Sequence, residues 1–196
     1  MSTISREFIR EKTIELIKNN GYSNVTINDI CAECSITKPT FYKYAGSKDE
    51  LILDLYDTTI SRLTSDPYKF IESDSYIEQL VVIFSMLIKD TLAFGSELFS
   101  HMLISNLEEN RHSFDMRDEL TKIGILIIKK AQKKGEIKNM NSPELLYSSL
   151  AHIFTGYEVI WCMNSGSNDI ISNFFESMNA VLCVSEEYKD LYKKYF

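Results

Sequence analysis

The chain has 196 residues, 44% hydrophobic and 25% charged, with only seven Gly and three Pro, which leaves little room for a turn-rich β architecture. Its longest apolar run, Leu80 to Ile88, is interrupted by Ser85 and falls short of the roughly 18 residues a membrane span needs. The charged N-terminus lacks the apolar segment of a signal peptide, so a cytoplasmic location without a membrane partner is expected. The formal charge of −7 hides an asymmetry, since residues 1–48 hold 7 basic against 5 acidic side chains and the remainder 14 against 23. A mildly basic head on an acidic body is compatible with nucleic acid as a partner, because the body need not touch phosphates.

Taken in chain order, Phe8, Ile9, Thr13, Leu16 and Ile17 form one helical stripe over 5–20, and Gly21 supplies a stop. Thr26-Ile-Asn-Asp29 is a capping-box start for a short helix to about Cys34. Three residues later another short helix spans Lys38 to Tyr44, with Pro39 in its first turn, where a missing N–H costs nothing. Ser47-Lys-Asp-Glu50 opens a longer helix to about Leu63 with the stripe Leu51, Ile52, Leu55, Tyr56, Thr59 and Leu63, and Pro67 marks the connection that follows. Ser75-Tyr-Ile-Glu78 starts a helix to about Phe94, and others cover 97–108, 115–134 and, from Ser142-Pro143-Glu144, a run to about Asn164. A helix over 169–184 and a short amphipathic tail over 186–195 close the chain. No stretch alternates with period two, so the expected fold is all-α, nine helices plus the tail.

Two short helices joined by a three-residue turn form a helix-turn-helix pattern. On the second of them Thr37, Lys38, Thr40, Tyr42, Lys43 and Tyr44 crowd polar tips onto exposed positions, while Phe41 has Ile30 and Ile36 as core partners. Tyr and Lys tips suit phosphate oxygens, and Thr suits base edges. Lys48, just past this helix, stands where a backbone phosphate should pass.

The segments Thr26–Ile30, Ser35–Tyr44 and Gly46–Ile52, with Gly21-Tyr22 before them, resemble the TetR family of bacterial repressors over about residues 5–55. Thr26, Asp29, Ile30, Thr40, Tyr42, Lys48, Glu50 and Leu51 stand at matching places, and Gly135-Glu-Ile followed by Ser142-Pro-Glu-Leu is a weaker later echo. Three positions depart from the family's pattern. Ser35 replaces the turn Gly, Thr13 a small Ala, and Ala45 the Phe that usually follows the recognition helix.

The resemblance implies a sequence-specific, DNA-binding transcription regulator, most simply a repressor released by a small, largely apolar ligand. A ligand-dependent activator of the same family is the alternative. Thr26, Thr37, Lys38, Tyr42 and Lys48 would contact phosphates, with Pro39, Thr40 and Lys43 nearest the bases. It also implies three parts: a reader over 1–47, a connecting strut over 48–64, and a ligand-sensing, dimerising body over 65–196.

A single short recognition helix reads only a few base pairs, so partners beyond operator DNA are a second copy of the chain and an unknown effector. The helices from Ser142 and Asp169 hold more apolar surface than one stripe requires, and the family implies a four-helix interface from two such pairs. Leu146, Leu150, Phe154, Gly156, Ile171, Phe174, Phe175, Met178 and Leu182 are the expected contacts. Effector-lining candidates are Phe84, Phe94, Phe99, His101, Met102, Asn106, Ile128, His152, Tyr157 and Trp161.

The remaining signals point away from catalysis. His101, His112 and His152 are scattered, and neither a phosphate-binding Gly loop nor a nucleophile elbow occurs, so no catalytic residue, cofactor or metal is expected. Cys31-x-x-Cys34 has no second ligand pair nearby and reads as small apolar filler, with a thiol switch as its alternative. A helical adaptor that binds protein through aromatic faces is the competing class, and gel shift separates it from a regulator.

Overall fold

The computed structural model describes residues 4–52, 73–108 and 118–196. The expected stripe from Leu55 to Leu63, the connection around Pro67 and a helix start at Asp115 lie outside the described residues. Among the described residues there is no strand, only an isolated bridge between Ile137 and Val184, so the all-α expectation holds. They form two compact units, one of residues 4–52 with 94–108, the other of 73–93 with 118–196.

The first unit opens with α1 (Arg6–Asn20), whose Ser5 cap accepts a hydrogen bond from the Phe8 N–H. Ile9, Thr13 and Ile17 are its buried face, at the i, i+4, i+8 spacing of one helical side. Thr13 is fully buried without penalty because its hydroxyl donates to the Ile9 carbonyl at 2.8 Å. Gly21, at φ 82°, ends α1 in a conformation that a Cβ would disfavour. One 3-10 turn (Tyr22–Asn24) leads to α2 (Ile27–Glu33), opened by a reciprocal box in which Thr26 and Asp29 exchange backbone hydrogen bonds. The third helix, α3 (Lys38–Tyr44), is capped by Thr37 and pinned by fully buried Phe41. Ile9, Val25, Ile30, Cys31, Cys34 and Ala45 are buried beside it, and the two cysteines are free thiols. Residues 48–52 open a further helix behind Ser47, with Leu51 and Ile52 buried.

The second unit contains most of α4 (Tyr76–Phe94), which has Ile77, Leu80, Ile83, Phe84 and Ile88 in the core. It also contains α6 (Asp118–Lys134), α7 (Pro143–Met163) and α8 (Ile170–Leu182), and α7 packs against both α6 and α8. Gly124 makes the first contact close, since a Cβ there would stand 2.0 Å from the Tyr147 ring of α7. Phe84, Phe154 and Phe174 form an aromatic cluster with ring centroids 4.6–5.8 Å apart. Beyond Cys183 the expected short tail follows as two 3-10 turns, Glu186–Tyr188 and Leu191–Lys194. Side-chain anchors add to the i→i+3 backbone hydrogen bonds there. Tyr192 stacks on Phe175 at 4.8 Å, and Lys194 and Tyr195 both donate to the buried Glu78 carboxylate.

One helix remains in the first unit. This is α5 (Ser96–Glu108), which buries Leu98, Phe99 and Met102.

Candidate nucleic-acid interface

The exposed end of α3 follows from how its sequence caps and anchors it. The Thr37 hydroxyl accepts from the Thr40 N–H at 3.3 Å and lies 2.9 Å from the Thr40 hydroxyl, so the first turn is closed by its own side chains. Phe41 faces the core, which turns its neighbours outward. Thr37, Lys38, Pro39 and Lys43 are exposed, Tyr42 is 54% exposed, and Thr40 is half-buried. Neither Lys38 nor Lys43 forms an ion pair among the described residues. By contrast Lys12 is neutralised by Glu15 and Glu33 at 2.9 and 3.3 Å. Thr26 is also exposed, at the start of α2.

Besides Thr26, whose N–H and hydroxyl donate to Asp29 at 2.8 and 2.6 Å, two of the expected contact residues are tied to distant parts of the chain. Tyr44 is half-buried; its hydroxyl donates to the Ile4 carbonyl at 3.2 Å, and its own carbonyl accepts from Arg6. Lys48 donates to the Tyr22 and Val25 carbonyls at 2.7 and 2.8 Å, and burial holds its ammonium pKa below the usual value. An ammonium has three N–H donors, so one is left for an outside acceptor. The turn before α3 places Ser35 at φ 53°, the left-handed conformation for which the family uses Gly.

Residues 9–55 match the family model described as bacterial regulatory proteins, tetR family. The uncharacterized HTH-type transcriptional regulator YvaF of Bacillus subtilis (strain 168) is 28% identical over 153 residues, 76% of each chain. A second regulator of that organism, the uncharacterized HTH-type YuxN, is 31% identical over 91 residues, a match spanning 42% of this chain and 30% of that protein. Among solved structures, the Thermus thermophilus TetR-family repressor FadR, crystallised with lauroyl-CoA, superposes with TM-score 0.69 at 21% identity, covering 90% of this chain and 93% of its own. Residues 9–55 are therefore a tetR-family helix-turn-helix.

A tetR-family regulator binds DNA through its helix-turn-helix and is not an enzyme. Against that identity, the residues expected to line an effector pocket divide over the two units. Phe94, Phe99, His101, Met102 and Asn106 belong to the first. There Phe94 and Phe99 stack with centroids 6.5 Å apart, and the His101 ring stacks on Tyr22. In the second unit Phe84, Ile128 and Trp161 are buried, whereas His152 is exposed, near Ser148. Tyr157 is half-buried and hydrogen-bonds Ser177 across the outer side of α7 and α8 at 2.8 Å.

The expected dimer set needs a larger correction. Leu146, Leu150, Phe154, Phe174, Phe175, Met178 and Leu182 are buried in the chain's own core, and only Gly156 and half-buried Ile171 reach the surface. Both helices are apolar on two sides, and the inner side belongs to the single chain. The outer side is an open apolar groove lined by Ile153, Gly156, Tyr157, Ile160, Ala180 and Val181. Residues that the sequence did not single out for the interface are Arg6, which pairs with Glu50 at 2.8 Å, and the Tyr22–Glu97–His101 group; the Gly21-Tyr22 motif was the available signal.

Proposed function

We propose that two copies of this tetR-family regulator bind a two-fold operator through α3 and repress transcription until a small, largely apolar effector releases them. In this reading residues 1–47 read DNA, 48–64 link, and 65–196 sense and dimerise, in the cytoplasm. The observation that supports it best is the exposed set Lys38, Tyr42 and Lys43, with no ion pair on either lysine among the described residues, on a helix whose other side is locked by Phe41. Thr26, Thr37, Lys38, Tyr42 and the third N–H of Lys48 serve phosphates, while Pro39, Thr40 and Lys43 meet base edges in the major groove. Tyr44 acts from behind, bracing α3 against the N-terminal segment through Ile4.

Recognition by α3 alone covers only a few base pairs, and two-fold dimers place their recognition helices about 34 Å apart on successive grooves. The outer groove of α7 and α8 is the face proposed for the second copy. FadR was solved with lauroyl-CoA, whose acyl chain is apolar although its CoA group is large and anionic, so that acyl thioester is the first probe of an effector with an apolar chain. Gel shift with the DNA upstream of the coding region tests the whole reading. Tyr42→Ala should weaken binding about tenfold, the loss expected for removing a charge-assisted contact, and Lys48→Ala should lower the salt slope by about one. Unchanged affinity and slope for both variants would exclude this docking. Retention of operator in saturating lauroyl-CoA would exclude that effector.

A further inference from the structure

Tyr22 is gripped from every side. It follows Gly21 in the 3-10 turn between α1 and α2, and its backbone N–H donates to the Glu97 carboxylate of α5 at 2.9 Å. Its carbonyl accepts from Lys48 at 2.7 Å, and its hydroxyl donates to Asp49. The Lys48 ammonium also stands 3.7 Å from the Tyr22 ring centroid, while the His101 ring of α5 stacks at 3.7 Å and 20°. A near-parallel ring and an ammonium at that distance cannot share one face without overlapping, so Lys48 and His101 occupy opposite faces of Tyr22. The strict left-handed geometry at Gly21 fixes where the ring begins, and a Cβ on Gly21 would press the Glu97 carboxylate at 3.3 Å.

None of this is needed to build a helix or to fill the reader's apolar core. Glu97 and His101 come from α5, outside the helix-turn-helix; Glu97 is exposed and His101 half-buried. What they hold is the ring and carbonyl on which the Lys48 ammonium rests. Burial already disfavours that charge, and the Tyr22 π-face and two carbonyls compensate for it. If Tyr22 shifts, the ammonium loses a carbonyl and the ring face together.

We infer that Glu97 and His101 are positioning residues for DNA binding, which set the Lys48 ammonium through Tyr22 and so let the state of α5 tune the reader's grip on a phosphate. This rests on the proposed role of Lys48. Movement of α5 would withdraw the stack and the Glu97 acceptor together, and no residue of α5 need touch DNA.

The test is a double-mutant cycle on operator affinity in the full chain, read by gel shift across a salt series. His101→Ala should weaken binding about three- to tenfold, the range expected for losing a stacked ring and the orientation it gives a cation, and should flatten the salt slope toward that of Lys48→Ala. In a Lys48→Ala background, His101→Ala should cost almost nothing more. His101→Phe keeps a stacking ring and should retain affinity, while Glu97→Gln, which keeps an acceptor oxygen, should lose less than Glu97→Ala. A general loss of folding would weaken binding without changing the salt slope, and Phe would not rescue it. If the His101 and Lys48 effects multiply independently, or if His101→Ala keeps full affinity and slope while Lys48→Ala loses both, the positioning role is overturned and the docking stands. If Lys48→Ala itself changes neither, the docking reading fails first and takes this inference with it.

Discussion

Glu158 lies fully buried on α7, with one carboxyl oxygen 2.7 Å from the Thr91 hydroxyl of α4 and the other without a hydrogen-bond partner among the described residues. Thr91 has one proton, and its oxygen is also 3.1 Å from the Leu87 carbonyl. A protonated Glu158 resolves the conflict, because the acid then donates to Thr91 and Thr91 donates to Leu87. Burial pushes its pKa up to about 8, against which the Thr91 contact is a smaller, opposing influence. A carboxyl whose folded pKa lies above its unfolded value keeps its full stabilisation below about pH 4.5 and loses it as pH rises through 8. Glu158→Gln stays neutral, so its stability relative to the parent should improve with pH, by on the order of a few kcal/mol between pH 5 and 8.5. Thermal melts of both proteins across that window measure the difference; parallel profiles would mean that Glu158 is ionised in the fold. Sequence alone could not find this residue, since a lone Glu at a helical position most often faces water, and only the α4–α7 packing encloses it.

Helix ends show which parts of the fold were legible and which were not. The starts were written locally: Thr26, Thr37 and Ser142 each accept the backbone N–H three residues on, as Ser and Thr caps before an acid or Pro suggest, and Asp169 does the same for Ser172. Two boxes close differently from the expected pattern. Glu50 and Glu78 accept from Gly46 and Asp74, the residues before their caps, which leaves Glu50 available to Arg6 and Glu78 to the tail. The stops repeat one geometry. Ser35, Gly135, Ser165 and Cys183 each turn left-handed while their own N–H and the next one bond back three and five residues. Only Gly135 has the residue that this turn favours, and at Ser165 and Cys183 no sequence signal announced it. At Ser35 the left-handed cost of about 1–2 kcal/mol exceeds the extra unfolded-chain entropy of Gly, about 0.5–1 kcal/mol. Ser35→Gly should therefore stabilise the α2–α3 turn by roughly 0.5–1 kcal/mol. Slower amide hydrogen exchange across α1 to α3 is the expected readout, and it does not require the whole chain to melt in one step. Equal or faster exchange would show that Ser35 gains something in that conformation that Gly cannot supply.

At the scale of the whole molecule the open question is what covers the outer side of α7 and α8. Periodicity identified both helices as unusually apolar but could not say which side faces inward, so it named the inner side. That is a limit of counting, because Leu146, Leu150 and Phe154 differ from Leu145, Ile153 and Ile160 only in which neighbour the folded chain gives them. Leu145 and Ile160 are 55% and 44% exposed, and Met163 is 78% exposed. Gly156 sits mid-helix among them, where Gly costs about 1 kcal/mol relative to Ala, yet a Cβ there would meet nothing among the described residues within 4 Å. No described atom of the single chain explains that Gly, whereas a close helix crossing with a second copy would. Gly156→Leu should consequently act with opposite signs on two equilibria. It should stabilise the isolated chain by roughly 0.5 kcal/mol through helix propensity, and weaken self-association by tenfold or more through overpacking at the crossing. Sedimentation across a concentration series measures the second effect, and operator binding should fall with it because one α3 reads too little sequence alone. An unchanged association constant with normal operator affinity would exclude this face as a contact between copies.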